Sequence, residues 1–290
     1  MRIGEKNMRI IVALIPAFLW GFLPIVVNKF GGKPIQQQLG TAFGCGIAGV
    51  LVYIIARPEV TTEVFIGCFI SGVAWSLGQL CEYKGYVIVG TSKAFALSIS
   101  LQMLLNSFCG AFLFNEWTTS RQLLLGFSAI ILVIIGGNVT AYTKDKADFS
   151  ALKKGLLTLG LGSIGYVVWN YSIAFVKAEG IAAVFPQAIG MVLGSLLLSL
   201  FEPKDIKKFA PITFKLIVPG FLYAGANIGL IFSNKLNGVA VGYTMAQLCL
   251  VVEIILGFLL LHEHKNKKEM AQTVIGAAFI VAGCIMVGMV

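Results

Sequence analysis

The sequence predicts an all-α integral membrane protein with ten transmembrane helices in two inverted five-helix repeats. Three observations carry that prediction. The 290 residues are 58% hydrophobic and only 12% charged, too apolar a balance for a soluble domain of this size. Runs of roughly 20 residues with few charges recur along the chain, each long enough to cross ~30 Å of hydrocarbon. The chain also repeats itself: Gln37-x-x-Gly40-x-x-x-Gly44 returns 150 positions later as Gln187-x-x-Gly190-x-x-x-Gly194, with Pro34 and Pro186 just upstream. Gly72, Trp75 and Gln79 match Gly220, Tyr223 and Asn227 at a spacing of 148, and Phe114-Asn115-Glu116-Trp117 matches Leu261-His262-Glu263-His264 at 147.

The first span covers about 10–28. It is too long for a signal peptide, carries Pro16 and Pro24, and runs into Asn28-Lys29 without a small-residue cleavage site, so it is read as a retained helix. The second, 39–56, opens on the repeated glutamine–glycine motif. The third, 63–82, stops where Glu82 and Lys84 interrupt the apolar run, and both are read as rim residues together with Lys93. Spans at 91–114 and 121–142 complete the first unit, residues 1–142. A polar loop at 143–154 precedes the second unit, 155–290, with spans at 155–175, 180–200, 212–233, 238–261 and 271–289. Five is odd, so the second unit must enter the membrane in the opposite sense, which relates the two by a twofold axis in the membrane plane. Gly40/Gly44, Gly190/Gly194 and Gly225/Gly229 are small-xxx-small pairs suited to close helix contact.

The net charge of +9 lies in the loops, where it sets orientation and does not call for a nucleic-acid partner. The face shared by the N-terminus would hold seven cations: Arg2, Lys6, Arg9, Arg57, Arg121, Lys177 and Lys235. The opposite face would hold fifteen lysines, so both termini of this multi-pass cell-membrane protein are expected outside. No GxxxxGK[ST] loop is present for direct ATP drive, and no cofactor is expected. All six cysteines fall in apolar spans without CxxC spacing and read as packing residues. His262-Glu263-His264 offers two histidines with no third ligand nearby; it reads as an interfacial anchor, and no metal is expected.

Duplicated membrane units are the usual design of secondary transporters, with substrate held between the repeats. An amide in hydrocarbon needs a partner or a wet cavity. Gln37 pairs with Gln187, Gln79 with Asn227, and Asn106 with Glu253 across the repeat, while Gln102 and Gln247 match within two residues. These amides suit neighbouring neutral hydroxyls, and Trp20, Trp75, Trp169 and Tyr223 offer flat faces to the C–H side of a sugar ring. None of the four arginines lies deep in a span, which argues against a multiply anionic substrate. The expected substrate site is therefore Trp20, Gln37, Trp75, Gln79, Gln102, Asn106, Gln187, Asn227 and Gln247. Glu253 is the acid expected well inside a span, and it is a candidate for proton coupling unless it is a structural carboxyl bonded to a neighbouring helix or paired with Lys93. Export of a drug or metabolite is the alternative function for the same architecture.

Trp20-Gly21, Asn28-Lys29-Phe30-Gly31-Gly32-Lys33-Pro34 and Gln37-x-x-Gly40-Thr41 resemble the start of the bacterial glucose/ribose porter family, within the drug/metabolite transporter superfamily. Ser76-Leu77-Gly78-Gln79, Gly90-Thr91-Ser92-Lys93-Ala94, Phe185-Pro186-Gln187-Ala188-x-Gly190-Met191 and Lys267-Lys268-Glu269-Met270 extend the likeness over nearly the whole chain. It implies ten helices and proton-coupled uptake of a monosaccharide, glucose first and ribose next. Ala96 stands where related members often carry proline, and an acid at Glu253 is not expected throughout the family. The likeness specifies no oligomeric state.

Overall fold

The computed structural model describes residues 3–113, 117–141, 146–178, 180–237, 245–260, 267–287 and 289. Its elements are α1 (Ile3–Phe30), α2 (Pro34–Ala56), α3 (Thr62–Val89), α4 (Thr91–Leu113), α5 (Ser120–Ala141), α6 (Lys146–Phe175), a 3-10 turn (Gly180–Ala183), α7 (Val184–Ser199), α8 (Pro211–Lys215), α9 (Ile217–Asn237), α10 (Cys249–Leu260) and α11 (Lys267–Val287). Among the described residues, nine helical segments are long and apolar enough to cross a membrane, the α8–α9 pair counting as one, and α10 is a shorter apolar helix. Side chains such as Ile55, Val87 and Leu124 are exposed on the outside of the bundle, where hydrocarbon is their natural solvent.

Local chemistry fixes the ends of the helices. Gly31 and Gly32 take φ of +76° and +91° between α1 and α2, a left-handed path that a side chain would strain. Pro34 then starts α2 at a position whose N–H needs no helical partner, and the Lys33 N–H donates to Gln36 Oε1 at 2.8 Å. Thr61 caps α3 by accepting from the Val64 N–H at 3.3 Å.

Several boundaries differ from the sequence expectation: α1 starts at Ile3, α10 at Cys249, and α3 and α6 are both longer than expected. α3 continues to Val89, which places Glu82 about two turns inside the helix, and Glu82 is buried there instead of standing on the rim. Residues 146–154, expected as part of the inter-repeat loop, are helical as the first turns of α6. In both places, charged side chains interrupt the apolar run while the backbone hydrogen bonding carries on.

The packing has a regular form. α3 lies against α6 and α7, as α9 lies against α1 and α2; α4 meets α6 as α10 meets α1; and α2–α7, α4–α10 and α5–α11 pair directly. Exchanging each helix with its counterpart one unit later leaves this set of contacts unchanged. Glycines make the closest of them possible. A Cβ added to Gly72 of α3 would lie 2.0 Å from the Gln187 carbonyl oxygen of α7, and one added to Gly220 of α9 would lie 2.2 Å from the Thr41 carbonyl oxygen of α2.

Candidate functional site

A cavity of about 850 Å³ opens between α6, α7 and α9, within the range of roughly 300–1,000 Å³ usual for small-molecule sites. Cys45, Met191 and Ala224 lie at its inner end, in helix interiors. Trp169, Gln187 and Asn227 line its walls, and Lys177, Gly180 and Lys235 its mouth, where α6 and α9 end and the turn before α7 begins. It therefore reaches the membrane face that the N-terminus shares.

Gln187 is held in the wall by donating to Ser71 Oγ at 3.0 Å, and Ser71 donates in turn to the Trp169 carbonyl at 2.6 Å. Trp20 and Trp75 flank Tyr223, with ring centres 6.1 and 4.9 Å from it. Trp169 stands edge-on to Tyr166 at 6.4 Å. The indole N–H groups of Trp20 and Trp169 are buried with no acceptor among the described residues, as is Gln79 Nε2. Such groups are costly to bury unpaired. Of these three residues only Trp169 lines the cavity, where its indole suits a ligand rich in oxygen acceptors; Trp20 and Gln79, like Trp75, lie outside its lining.

The remaining expected residues are spread through the bundle. Asn106 donates to the Gln102 carbonyl at 2.8 Å and accepts from Asn170 Nδ2 at 3.2 Å, and Asn170 also lines the cavity. Gln247 is buried just before α10, and Glu253 is fully buried within it. Gln37 lies at the opposite end of the bundle, where its amide donates to the Gly31 carbonyl at 3.2 Å, so the structure does not bring it to the cavity. His262-Glu263-His264 and Phe114-Asn115-Glu116 lie outside the described residues.

That opposite end is tied shut. Gln36 donates to the Lys207 carbonyl at 2.7 Å, Gln38 to Ser195 Oγ at 2.7 Å, Asn28 to Thr91, and Lys84 forms an ion pair with Glu202.

Sequence reasoning missed a second buried acid. Glu82 accepts from Tyr86 at 2.6 Å, from Ser98 of α4 at 2.9 Å and from Tyr166 of α6 at 3.1 Å. Tyr166 lies 3.1 Å from Gln79 Oε1 as well, and Gln102 donates to Ser98 at 2.9 Å. The spacing held a clue. Gln79, Glu82 and Tyr86 recur at i, i+3 and i+7 on one face of α3, as Ser98 and Gln102 do at i, i+4 on α4.

The comparisons agree with this picture. Residues 11–290 match the family described as "Sugar transport protein". A Listeria monocytogenes protein named for sugar uptake is 42% identical over 97% of this chain and 99% of its own length. The glucose uptake protein GlcU of Bacillus subtilis is 34% identical over 97% and 98%, and a Latilactobacillus sakei protein named for ribose uptake is 36% identical over 96% and 97%. A solved crystal structure with 14% identity superposes over 97% of both chains with a TM-score of 0.63, a likeness of fold.

Proposed function

The chain belongs to the sugar transport protein family, a multi-pass membrane protein and not an enzyme, and we propose that it imports a monosaccharide, glucose first and ribose next, by proton symport with alternating access. The observation that carries the reading is the cavity: Gln187, Asn227 and Trp169, with its indole N–H lacking an acceptor among the described residues, line it at one end of a bundle closed at the other. Sugar oxygens accept from such donors, and the C–H faces of the ring pack on Trp169. Gln79 and Tyr223 with Trp20 and Trp75 extend the site inward, and Gln102, Asn106 and Gln247 support it. In the proposed cycle the two units, 1–142 and 155–290, rock about this site. The ties of the opposite face would then break, and Gln37 would take the place that Gln187 holds here. The buried carboxyls available for coupling are Glu253 and Glu82.

The deciding experiment is counterflow of labelled glucose and ribose in proteoliposomes, repeated under an imposed pH gradient. Exchange of neither sugar removes the reading. Gln187→Ala is expected to lower uptake about tenfold, the equivalent of one hydrogen bond of ~1.4 kcal/mol, without lowering membrane abundance. Unchanged uptake takes Gln187 out of the site.

With the lysine-rich face cytoplasmic, the cavity opens outward. Lys235→Cys, at the mouth, is then labelled by an impermeant maleimide in intact cells, whereas Lys204→Cys on the opposite face is labelled only after permeabilisation. The reverse pattern inverts the topology.

A further inference from the structure

We propose that Glu82 takes up and releases the proton that accompanies the sugar, and that the Tyr166 hydroxyl, turning between Glu82 and Gln79, ties that proton to the sugar site. The inference rests on the proton-symport reading above and names the group that carries it.

Glu82 is 5% exposed where α3 meets α4 and α6. Three hydroxyls converge on its carboxyl: Tyr86 on Oε1, Ser98 and Tyr166 on Oε2. The titratable groups around it are Tyr83 and Tyr86 of α3, Tyr166 of α6, Tyr223 of α9 and Cys249 of α10, with Glu253 of α10 facing Tyr86 and Cys249. None of them is a cation, and the adjacent lysine of α3, Lys84, is engaged with Glu202. With no balancing cation beside it among the described residues, this carboxyl changes charge by exchanging a proton.

The geometry gives that exchange a consequence. Ionised, Glu82 accepts all three hydroxyl hydrogens. Protonated on Oε2, it becomes a donor to the Tyr166 oxygen, and Tyr166 turns its own hydrogen to Gln79 Oε1, which lies as close to it as Glu82 Oε2, at 3.1 Å. One proton is gained, and only hydrogen bonds rearrange. Gln79 Nε2, the other end of that amide, is a buried donor with no acceptor among the described residues; Gln79 lies outside the cavity's lining, so the sugar meets it where the proposed site extends inward. A sugar oxygen that accepts from it polarises the amide and strengthens Oε1 as an acceptor. That draws the Tyr166 hydrogen away from Glu82 and favours the protonated carboxyl. By linkage, protonation of Glu82 raises sugar affinity by the same factor.

The test compares wild type, E82Q, Y166F and E253Q in proteoliposomes. Two quantities are read with whichever of labelled glucose or ribose exchanges: counterflow at equal pH, and accumulation under an inward proton gradient. The ratio of accumulation to counterflow is expected to fall about tenfold in E82Q and severalfold in Y166F, within the usual span of coupling between sites. A wild-type ratio in E82Q overturns the inference, as does a ratio lowered in E253Q alone. Equal loss of both quantities in folded E82Q also overturns it, because a structural post would behave that way. If E82Q yields no folded protein, Y166F decides: a lowered ratio supports the inference and a wild-type ratio overturns it. Failure of the symport reading looks different. Wild type would then exchange sugar in counterflow and ignore the proton gradient, or accumulate it under a sodium gradient instead.

Discussion

Gly72→Leu is expected to abolish recovery of folded protein from the membrane. A Cβ at this position would lie 2.0 Å from the Gln187 carbonyl oxygen and 2.7 Å from the Met191 nitrogen. Both are backbone atoms of α7, so no side-chain rotation relieves the clash, and α3 and α7 must separate along their contact. In lipid the loss is severe, because apolar burial does not drive helix association there and close packing must hold the pair together. Even Gly72→Ala should cost about 1–3 kcal/mol, the usual range for overpacking, and leucine more. Gly220→Leu should behave alike, because its Cβ would meet the Thr41 carbonyl oxygen at 2.2 Å. Gly160→Ala is the matched control. Nothing lies within 4 Å of a Cβ at Gly160, and its effect should stay within about 0.5 kcal/mol. Thermal unfolding in detergent and membrane abundance measure all four, and near-wild-type stability of Gly72→Leu would show that α3 and α7 do not meet in this way.

Those glycines also show what could be read in the chain before its fold was known. A backbone approach of this kind tolerates glycine and little else, so duplicated contacts leave a duplicated residue pattern. Gly72 and Gly220 stood out at their spacing of 148 for that reason. The helices themselves were legible because about 30 Å of hydrocarbon imposes a minimum apolar length.

The site was legible only in part. Gln37 and Gln187 echo each other in sequence, yet one closes a turn at the tied end and the other lines the cavity. Repeat symmetry makes two residues equivalent in position along their units. A transporter held with one end open makes them unequal in surroundings, and the chain carries no mark of which end is open. Glu82 was obscured for another reason. Hydropathy along one strand of sequence registers its charge as the end of a span, while the hydroxyls of Ser98 and Tyr166 that accommodate it come from other helices.

Trp169→Ala is expected to raise the KM for sugar by roughly 30-fold or more, the cost of losing an aromatic anchor worth ~2 kcal/mol. Two separate contributions make up that loss, and they can be measured apart. Trp169→Phe keeps a flat ring against Tyr166 and the cavity but removes the indole N–H. Among the described residues that N–H has no acceptor, so removing it breaks no hydrogen bond with them. The smaller ring leaves extra space beside a cavity that already exists, which limits the packing penalty. Trp169→Phe should therefore leave the unfolding temperature nearly unchanged while raising KM about tenfold, because the sugar oxygen that would accept from the indole loses its donor. The remaining rise seen with alanine then measures stacking of the sugar's C–H face on the ring. A fall in stability with no change in KM, for either variant, would make Trp169 a packing residue and move the sugar away from this wall of the cavity.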